Sequence, residues 1–78
     1  MMTYEEFEEA CLKSLEDRVC DEWKSDMARY IKEDDSQEIM REFYESGVER
    51  YEKGTKKDNK LAFGCCVSTA VENMRLLY

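Results

Sequence analysis

The sequence contains no histidine and no proline, and none of its three glycines comes before Gly47. The absence of histidine removes the commonest general acid and base, and also the usual activator of a serine or cysteine nucleophile. No glycine-rich phosphate loop, nucleotide-binding fingerprint or calcium-loop pattern occurs either. We therefore predict a protein that is not an enzyme, with no catalytic residues and no cofactor.

The four cysteines do not have the spacing of a metal site. Cys65 and Cys66 are adjacent, and helical neighbours point about 100° apart. Cys11 and Cys20 are nine residues apart, about 13.5 Å along a helix, whereas a disulfide needs Cα atoms within about 7 Å. Without a C-x-x-C pair, we predict no metal site and interpret the cysteines as reduced, buried, small apolar side chains.

The chain is rich in charge, and its negative charge is unevenly placed. Of its 78 residues 42% are hydrophobic and 40% are charged, and the net charge is −7. Residues 1–38 carry 13 acidic and 5 basic side chains, a net charge of −8, whereas residues 39–78 carry 6 and 7, a net charge of +1. The apolar content predicts one folded domain spanning 1–78. A negative surface disfavours nucleic acid and anionic lipid, so we expect a protein partner, and charge alone favours a basic one.

Neither end of the sequence predicts an association with a membrane. The opening MMTYEEFEEA lacks the basic and apolar regions of a secretory signal. The most apolar stretch, Leu61 to Tyr78, contains Glu72 and Arg75, so a membrane span is not expected there. We expect a cytoplasmic protein.

The spacing of apolar residues is helical throughout, which predicts an all-α fold, a small three-helix bundle. Helix 1 is predicted at about 4–33 and begins with a capping box, Thr3 and Glu6. Its apolar residues recur every four positions from Phe7 onward, so the apolar stripe rotates around the helix. A straight helix could not keep that stripe on one partner. One long helix, bent near 17–21, is the favoured interpretation, and a break into two helices is the close alternative.

Helix 2 is predicted at about 36–53 and is followed by helix 3 at about 58–77. Asp35 and Glu38 form a pair that resembles a capping box at the start of helix 2, and Ser36 is the alternative cap. Gly47 lies on its apolar side, which predicts a close approach by another helix. Gly54 is expected to end it in a left-handed conformation. Thr55 with Asp58, or Asp58 itself, is expected to cap helix 3.

Helix 3 is apolar on nearly its whole circumference, which predicts a helix buried on most sides. The core side is expected to hold Phe63, Cys66, Val67, Ala70, Val71, Met74 and Leu77. Two neighbouring helices cannot cover the rest, so we predict a homodimer through helix 3. The candidate interface consists of apolar or small residues of helix 3 and the second half of helix 1: Leu61, Phe63, Cys65, Thr69, Leu76, Trp23 and Met27.

Two rows of glutamates suggest a second class of function. Helix 1 carries Glu5, Glu9 and Glu16, and helix 2 carries Glu38, Glu42, Glu45, Glu49 and Glu52. Such rows either keep the protein soluble or imitate the phosphates of a nucleic acid. We therefore predict a small intracellular interaction or regulatory module. The alternative is an acidic inhibitor, of the type that mobile genetic elements encode, that blocks a nucleic-acid-binding enzyme.

Overall fold

A computed structural model describes residues 1–54 and 58–77, and within these ranges the secondary structure is helical, without strands. Helix α1 spans Tyr4–Glu16, α2 Lys24–Tyr30, α3 Asp34–Lys53 and α4 Asn59–Leu77. A short 3-10 turn, Asp21–Trp23, leads into α2. The all-α prediction is confirmed, but this part of the chain forms four helices and not three. None of the described helices combines the length and the apolar character needed to cross a membrane.

The predicted first helix is broken and not bent, so the favoured interpretation of residues 4–33 is wrong and the alternative is correct. Helix α1 ends at Glu16, and Cys20 has an extended backbone with φ −67° and ψ 154°. The reason is the rotation of the apolar stripe. Because the chain turns at 17–20, both Leu15 of α1 and Met27 of α2 reach the core, where they are 2% and 1% exposed.

The beginning of α1 agrees with the sequence, whereas that of α3 differs from it. The Thr3 hydroxyl accepts from the Glu6 N–H at 3.1 Å, and the Glu6 carboxylate accepts from the Thr3 N–H at 2.9 Å. Helix α3 begins earlier than predicted, with Glu33 at the N-cap and no side-chain cap, so the proposed cap by Asp35 is wrong. Asp34 and Asp35 instead lie in its first turn, where carboxylates complement the helix dipole.

The connection between α3 and α4 follows the prediction in part. Gly54 follows the last residue of α3 as predicted, but with φ −73° and ψ 147° it is extended and not left-handed. Before α4, the Asp58 carboxylate accepts from the Lys60 N–H at 2.8 Å, as a capping aspartate does. The proposed contribution of Thr55 to this cap lies outside the described residues.

The core is centred on the contact between α3 and α4, and α1 packs across both. Phe63 of α4 is 0% exposed and its ring lies at the middle of an aromatic cluster. The centroid of its ring is 5.7 Å from that of Tyr44, 6.3 Å from that of Phe7 and 6.4 Å from that of Tyr51. A Cβ on Gly47 would come within 2.6 Å of Phe63 Cε1. Gly47 therefore permits the predicted close approach of two helices.

A polar network around Glu8 attaches α1 to the turn between α2 and α3. The Glu8 carboxylate accepts from Lys32 Nζ at 2.5 Å and from Gln37 Nε2 at 2.9 Å. The Gln37 amide also donates to the Ile31 carbonyl at 2.7 Å and accepts from the Tyr4 hydroxyl at 2.8 Å. Burial raises the pKa of the Glu8 carboxyl, but the bonds from Lys32 and Gln37 and the charge of Lys32 outweigh it. The net pKa therefore lies below its ordinary value.

Replacing Glu8 with glutamine should lower the free energy of unfolding at neutral pH by about 1 kcal/mol, because a charged acceptor is lost. The folded-state pKa lies below the ordinary value of 4.5. The stabilisation is therefore fully present above that value and is lost as the pH falls through the folded-state pKa. Urea titrations of both proteins between about pH 7 and pH 3 should show the difference shrinking toward acid.

Glu9→Gln is the control for this prediction. Glu9 is exposed and takes part in no ion pair among the described residues. Its replacement should change the free energy of unfolding by less than about 0.5 kcal/mol. A loss in Glu8→Gln that is the same at every pH would contradict a role for the Glu8 charge.

Candidate functional site

One side of α4 is exposed to solvent and almost without charge. We call this surface the α4 face; its residues are Leu61, Gly64, Cys65, Ser68, Thr69, Glu72 and Leu76, all exposed. Leu61 is 59% exposed and Leu76 is 85% exposed, and both are among the large apolar side chains that the fold leaves uncovered. From Leu61 to Val71 the helix carries no charged residue. In a chain with 40% charged residues, this surface is unusual.

The α4 face is the direct result of how α4 packs. At about 100° per residue, its seven residues lie within an arc of about 140°, and the exposed Arg75 falls within the same arc near the end of the helix. The opposite side is buried, with Phe63, Ala70, Val71 and Met74 all 0% exposed. The chain therefore covers one side of α4 only, and the expectation that it is buried on most sides is wrong for the single chain. Leu77, predicted in the core, is 56% exposed at the helix end.

The two helical glycines differ in what surrounds them. Gly47 is buried against the ring of Phe63, so the fold itself requires a glycine there. Among the described residues, a Cβ on Gly64 would meet no atom beyond its own helix backbone within 4 Å. Glycine inside a helix costs about 1 kcal/mol relative to alanine. At Gly64 no contact within the described chain offsets that cost, and the missing side chain leaves the backbone open to a close approach from outside.

Glu72 is the single anionic residue of the α4 face, and cations of the same chain neutralise it. The Arg18 guanidinium, from the break between α1 and α2, pairs with the Glu72 carboxylate. Arg75, one turn further along α4, also approaches the same carboxylate, with Nη1 3.3 Å from Oε1. These pairs are exposed, so they add little to stability. Their consequence is that the α4 face has no net negative charge.

The structure brings together four of the seven residues predicted for an interface. Leu61, Cys65, Thr69 and Leu76 all lie on the α4 face. The other three lie elsewhere: Phe63 and Met27 are 0% and 1% exposed in the core, and Trp23, 48% exposed, is on the 3-10 turn. In this fold Phe63 and Met27 have no surface to offer a partner.

Sequence reasoning missed three residues of the α4 face, Gly64, Ser68 and Glu72. Gly64 and Ser68 are small and four residues apart, and this spacing of small residues is a signal of close helix packing that could have found them. The ion pair between Arg18 and Glu72 had no signal in the sequence, because the two residues are far apart in the chain and meet only through the break after α1.

The glutamates of α3 form one exposed row. Its five members are exposed and lie within an arc of about 80° at about 100° per residue: Glu38, Glu42, Glu45, Glu49 and Glu52. Glu49 pairs with Lys53 at 2.6 Å, and this bond and charge hold the pKa of the Glu49 carboxyl below its ordinary value. On α1, Glu5 and Glu9 are exposed and Glu16 is half-buried.

The cysteines divide into two pairs, so the prediction of four buried thiols is correct for two of them only. Cys11 and Cys66 are buried, whereas Cys20 and Cys65 are exposed. Burial raises the pKa of the Cys11 thiol to about 12, which keeps it protonated and unreactive. Within residues 1–54 and 58–77, no group of three or more cysteine, aspartate or glutamate side chains could hold a metal ion.

A surface depression of about 450 Å³ lies beside α2, lined by Asp26, Arg29, Tyr30 and Glu33. Arg29 Nη2 is 2.5 Å from Asp26 Oδ1, so these two charges satisfy each other. The Tyr30 hydroxyl donates to the Met74 carbonyl. The depression therefore presents no set of groups that would select a ligand.

No protein-family model, curated protein or solved structure matches this chain. The α4 face must therefore be interpreted from its own chemistry. It offers apolar side chains, small residues and an accessible backbone, which are the components of a surface that binds another helix.

Proposed function

We propose that this chain is a small, intracellular, non-enzymatic protein-interaction module that assembles as a homodimer through the α4 face. The observation that carries the proposal is the exposure of Leu61 and Leu76 at the two ends of a helical surface whose one carboxylate, Glu72, is paired with Arg18 and Arg75. Burial of a leucine side chain contributes about 1.5–3 kcal/mol, so leaving two of them in water costs free energy that a partner would recover.

The charge distribution supports a second copy of the chain as the occupant of the α4 face, because this is where two copies repel each other least. The net charge is −7, so two copies repel each other unless they meet where carboxylates are few or neutralised. The exposed glutamate row of α3 would oppose itself in a dimer formed there. The α4 face avoids this, because Glu72 is neutralised by Arg18 and Arg75. A basic partner, in contrast, would gain more from the α3 row than from the α4 face.

The expected dimer is weak. A two-fold dimer would cover four leucines, two from each chain. Part of the free energy gained by burying them offsets the loss of translational and rotational freedom on association. We expect a dissociation constant in the micromolar range, about 8 kcal/mol of association free energy.

Sedimentation equilibrium over a range of micromolar concentrations tests the proposal. The wild-type chain should change from monomer to dimer, whereas Thr69→Glu should raise the dissociation constant at least about tenfold, since it introduces a carboxylate into each half of the contact. Ser46→Glu is the matched control, because Ser46 is exposed on α3 and the substitution changes the net charge equally. It should leave the dimer intact.

The outcomes separate the alternatives. A wild-type monomer throughout this range would refute the homodimer. A dimer that Ser46→Glu disrupts as strongly as Thr69→Glu would place the contact elsewhere or make it a general effect of charge. If the Thr69→Glu variant still formed the dimer as well as the wild-type chain does, the α4 face would be excluded as the dimer contact.

A second candidate, the acidic inhibitor, is favoured by the row of five exposed glutamates on α3. Its members span about 21 Å of helix, one charge per about 5 Å, which is sparser than the one charge per about 3.4 Å of a nucleic-acid strand. In this candidate function the row occupies a basic nucleic-acid-binding groove of another protein.

Salt dependence distinguishes this function from the first one. Binding of the chain to a basic nucleic-acid-binding protein should weaken steeply as salt is raised, because exposed charges are screened within about 10 Å at 0.1 M. Charge reversal of Glu42 and Glu45 together should abolish that binding and leave the homodimer unchanged. Binding that is insensitive to both salt and charge reversal would exclude the mimic.

A further inference from the structure

The apolar and small residues of the α4 face are ordered by size along the helix, and the exception on this face is Glu72, which pairs with Arg18 and Arg75. The two leucines are at its ends, Leu61 and Leu76, about 22 Å apart along the axis. Between them lie Gly64, Cys65, Ser68 and Thr69, which are small. Two crossing helices are closest at the crossing point and diverge toward their ends. Small residues suit the crossing point, and large residues suit the divergent ends.

We infer that the two α4 helices of the dimer pack antiparallel and cross between Ser68 and Thr69, so that Leu61 of each chain contacts the partner's Leu76. This inference rests on the proposed homodimer and specifies its geometry. Positions 61 and 76 are equidistant from the point between positions 68 and 69, so an antiparallel crossing there places each leucine against the other. Both exposed leucines are then covered by the same kind of contact.

The open space around Gly64 is an independent observation that indicates the approach of another helix. No atom of the described chain beyond the backbone of the same helix would meet a Cβ at this position, so the fold of the single chain does not require a glycine. Gly64 and Ser68 are four residues apart and lie on the same side of α4, where they allow the two backbones to come close. This arrangement is the counterpart, between chains, of Gly47 against Phe63 within the chain.

Charge and dipole favour the antiparallel orientation over the parallel one. In a parallel two-fold pair each residue lies opposite its own copy, so Glu72 would oppose the partner's Glu72. In the antiparallel pair Glu72 lies opposite the partner's uncharged Cys65, and the two Glu72 residues are separated by about 10 Å along the axis. Antiparallel helix dipoles also attract each other, whereas parallel dipoles repel.

The native Cys65 is a reporter of the orientation. In the antiparallel pair the two Cys65 residues are seven residues out of register, about 10.5 Å along the axis, beyond the Cα separation of about 7 Å that a disulfide allows. The two Thr69 residues are out of register by one residue only, about 1.5 Å along the axis. In a parallel pair the two Cys65 residues would be directly opposite each other.

Oxidation by oxidised glutathione of proteins that have one exposed thiol tests the inference, with covalent dimer measured on non-reducing gels; the buried Cys11 and Cys66 stay in both proteins. Cys20→Ser removes the other exposed thiol and leaves Cys65 as the exposed reporter. The second protein carries Cys20→Ser, Cys65→Ser and Thr69→Cys. Both are oxidised at concentrations where sedimentation detects the dimer. The Thr69→Cys protein should form at least about tenfold more covalent dimer than the Cys65 protein, because only its thiols meet the distance requirement.

Each result has one meaning. Crosslinking through Cys65 that is as efficient as crosslinking through position 69 would overturn the antiparallel geometry in favour of a parallel one, because a parallel pair places both positions opposite their own copies. A dimer in sedimentation that crosslinks through neither position would overturn the inference, because α4 would not be the contact. A monomer in sedimentation refutes the proposed homodimer itself, which is a separate failure.

Gly64→Ala provides a second measurement that does not depend on oxidation. Alanine favours a helix over glycine, so the melting temperature of the monomer at high dilution should rise. The dissociation constant of the dimer should rise at least about tenfold, because the added methyl group holds the two backbones apart. An unchanged or lower dissociation constant would show that Gly64 is not at the crossing and would overturn the inference.

Discussion

Replacement of Phe63 by alanine is expected to lower the free energy of unfolding by about 3–5 kcal/mol. The ring is 0% exposed, and it is in contact with rings from α1 and α3, those of Phe7, Tyr44 and Tyr51. A domain of this length has a total stability of about 4–12 kcal/mol, so the loss is a large part of the whole. Urea denaturation followed by far-ultraviolet circular dichroism measures it.

Leu77→Ala is the control for Phe63→Ala. It removes another large apolar side chain from the same helix, but Leu77 is 56% exposed at the helix end. The expected change is below about 0.5 kcal/mol. Equal losses in the two variants would contradict the assignment of Phe63 to the centre of the core.

Gly47→Ala, made in the wild-type chain and in the Phe63→Ala variant, tests whether positions 47 and 63 are in contact. In the wild-type chain the new Cβ collides with the ring of Phe63, an overpacking that costs about 1–3 kcal/mol and exceeds the gain in helix propensity. In the Phe63→Ala background the collision is absent and only the gain remains, up to about 1 kcal/mol. The change in stability should therefore reverse its sign. A Gly47→Ala effect that is identical in both backgrounds would show that the two positions are not coupled.

Glutamate at position 70 should unfold the chain, whereas glutamate at position 69 should not. Ala70 is 0% exposed, so its replacement by glutamate places an unpaired charge in the core at a cost above about 4 kcal/mol. Thr69 is exposed, and its hydroxyl donates only to the Cys65 carbonyl of its own helix, at 2.8 Å. Ala70→Glu should lose most of its helical circular dichroism at about 25 °C, and Thr69→Glu should retain it. Unchanged helicity in Ala70→Glu would mean that α4 is not a core helix.

Several features that depend on neighbouring residues could be predicted from the sequence, although the cap by Asp35 and the left-handed conformation of Gly54 were predicted wrongly. The capping box of Thr3 and Glu6 is complete within four residues, and the glycine at 47 lies on a clear apolar stripe. The periodicity of α4 was also sufficient to separate Leu61, Cys65, Thr69 and Leu76 from the core side. Each of these patterns lies within one helix, so the helical repeat alone is enough to predict which residues share a side.

Features that depend on distant contacts could not be predicted. The four-residue spacing of helix 1 indicated a rotating stripe, but the choice between a bend and a break depends on where both halves meet α4. The buried hydrogen bond from the Tyr30 hydroxyl to the Met74 carbonyl holds α2 against α4, and the exposed pair of Arg18 with Glu72 lies beside the break. The prediction of Met27 at an interface is wrong for the same cause. On a continuous helix Met27 would face outward, whereas the break rotates α2 and places Met27 in the core.

The break between α1 and α2 places the single tryptophan of the chain where its fluorescence reports local opening of the fold. Trp23 lies at this corner and is 48% exposed. Helix α2 has seven residues, fewer than the ~12–15 that an isolated helix needs, so the corner depends on the anchors Met27 and Tyr30. Segments with few anchors open locally at a lower free energy than the whole domain. Tryptophan fluorescence should therefore change at lower urea concentration than circular dichroism, which α3 and α4 dominate, and should follow local opening instead of global unfolding.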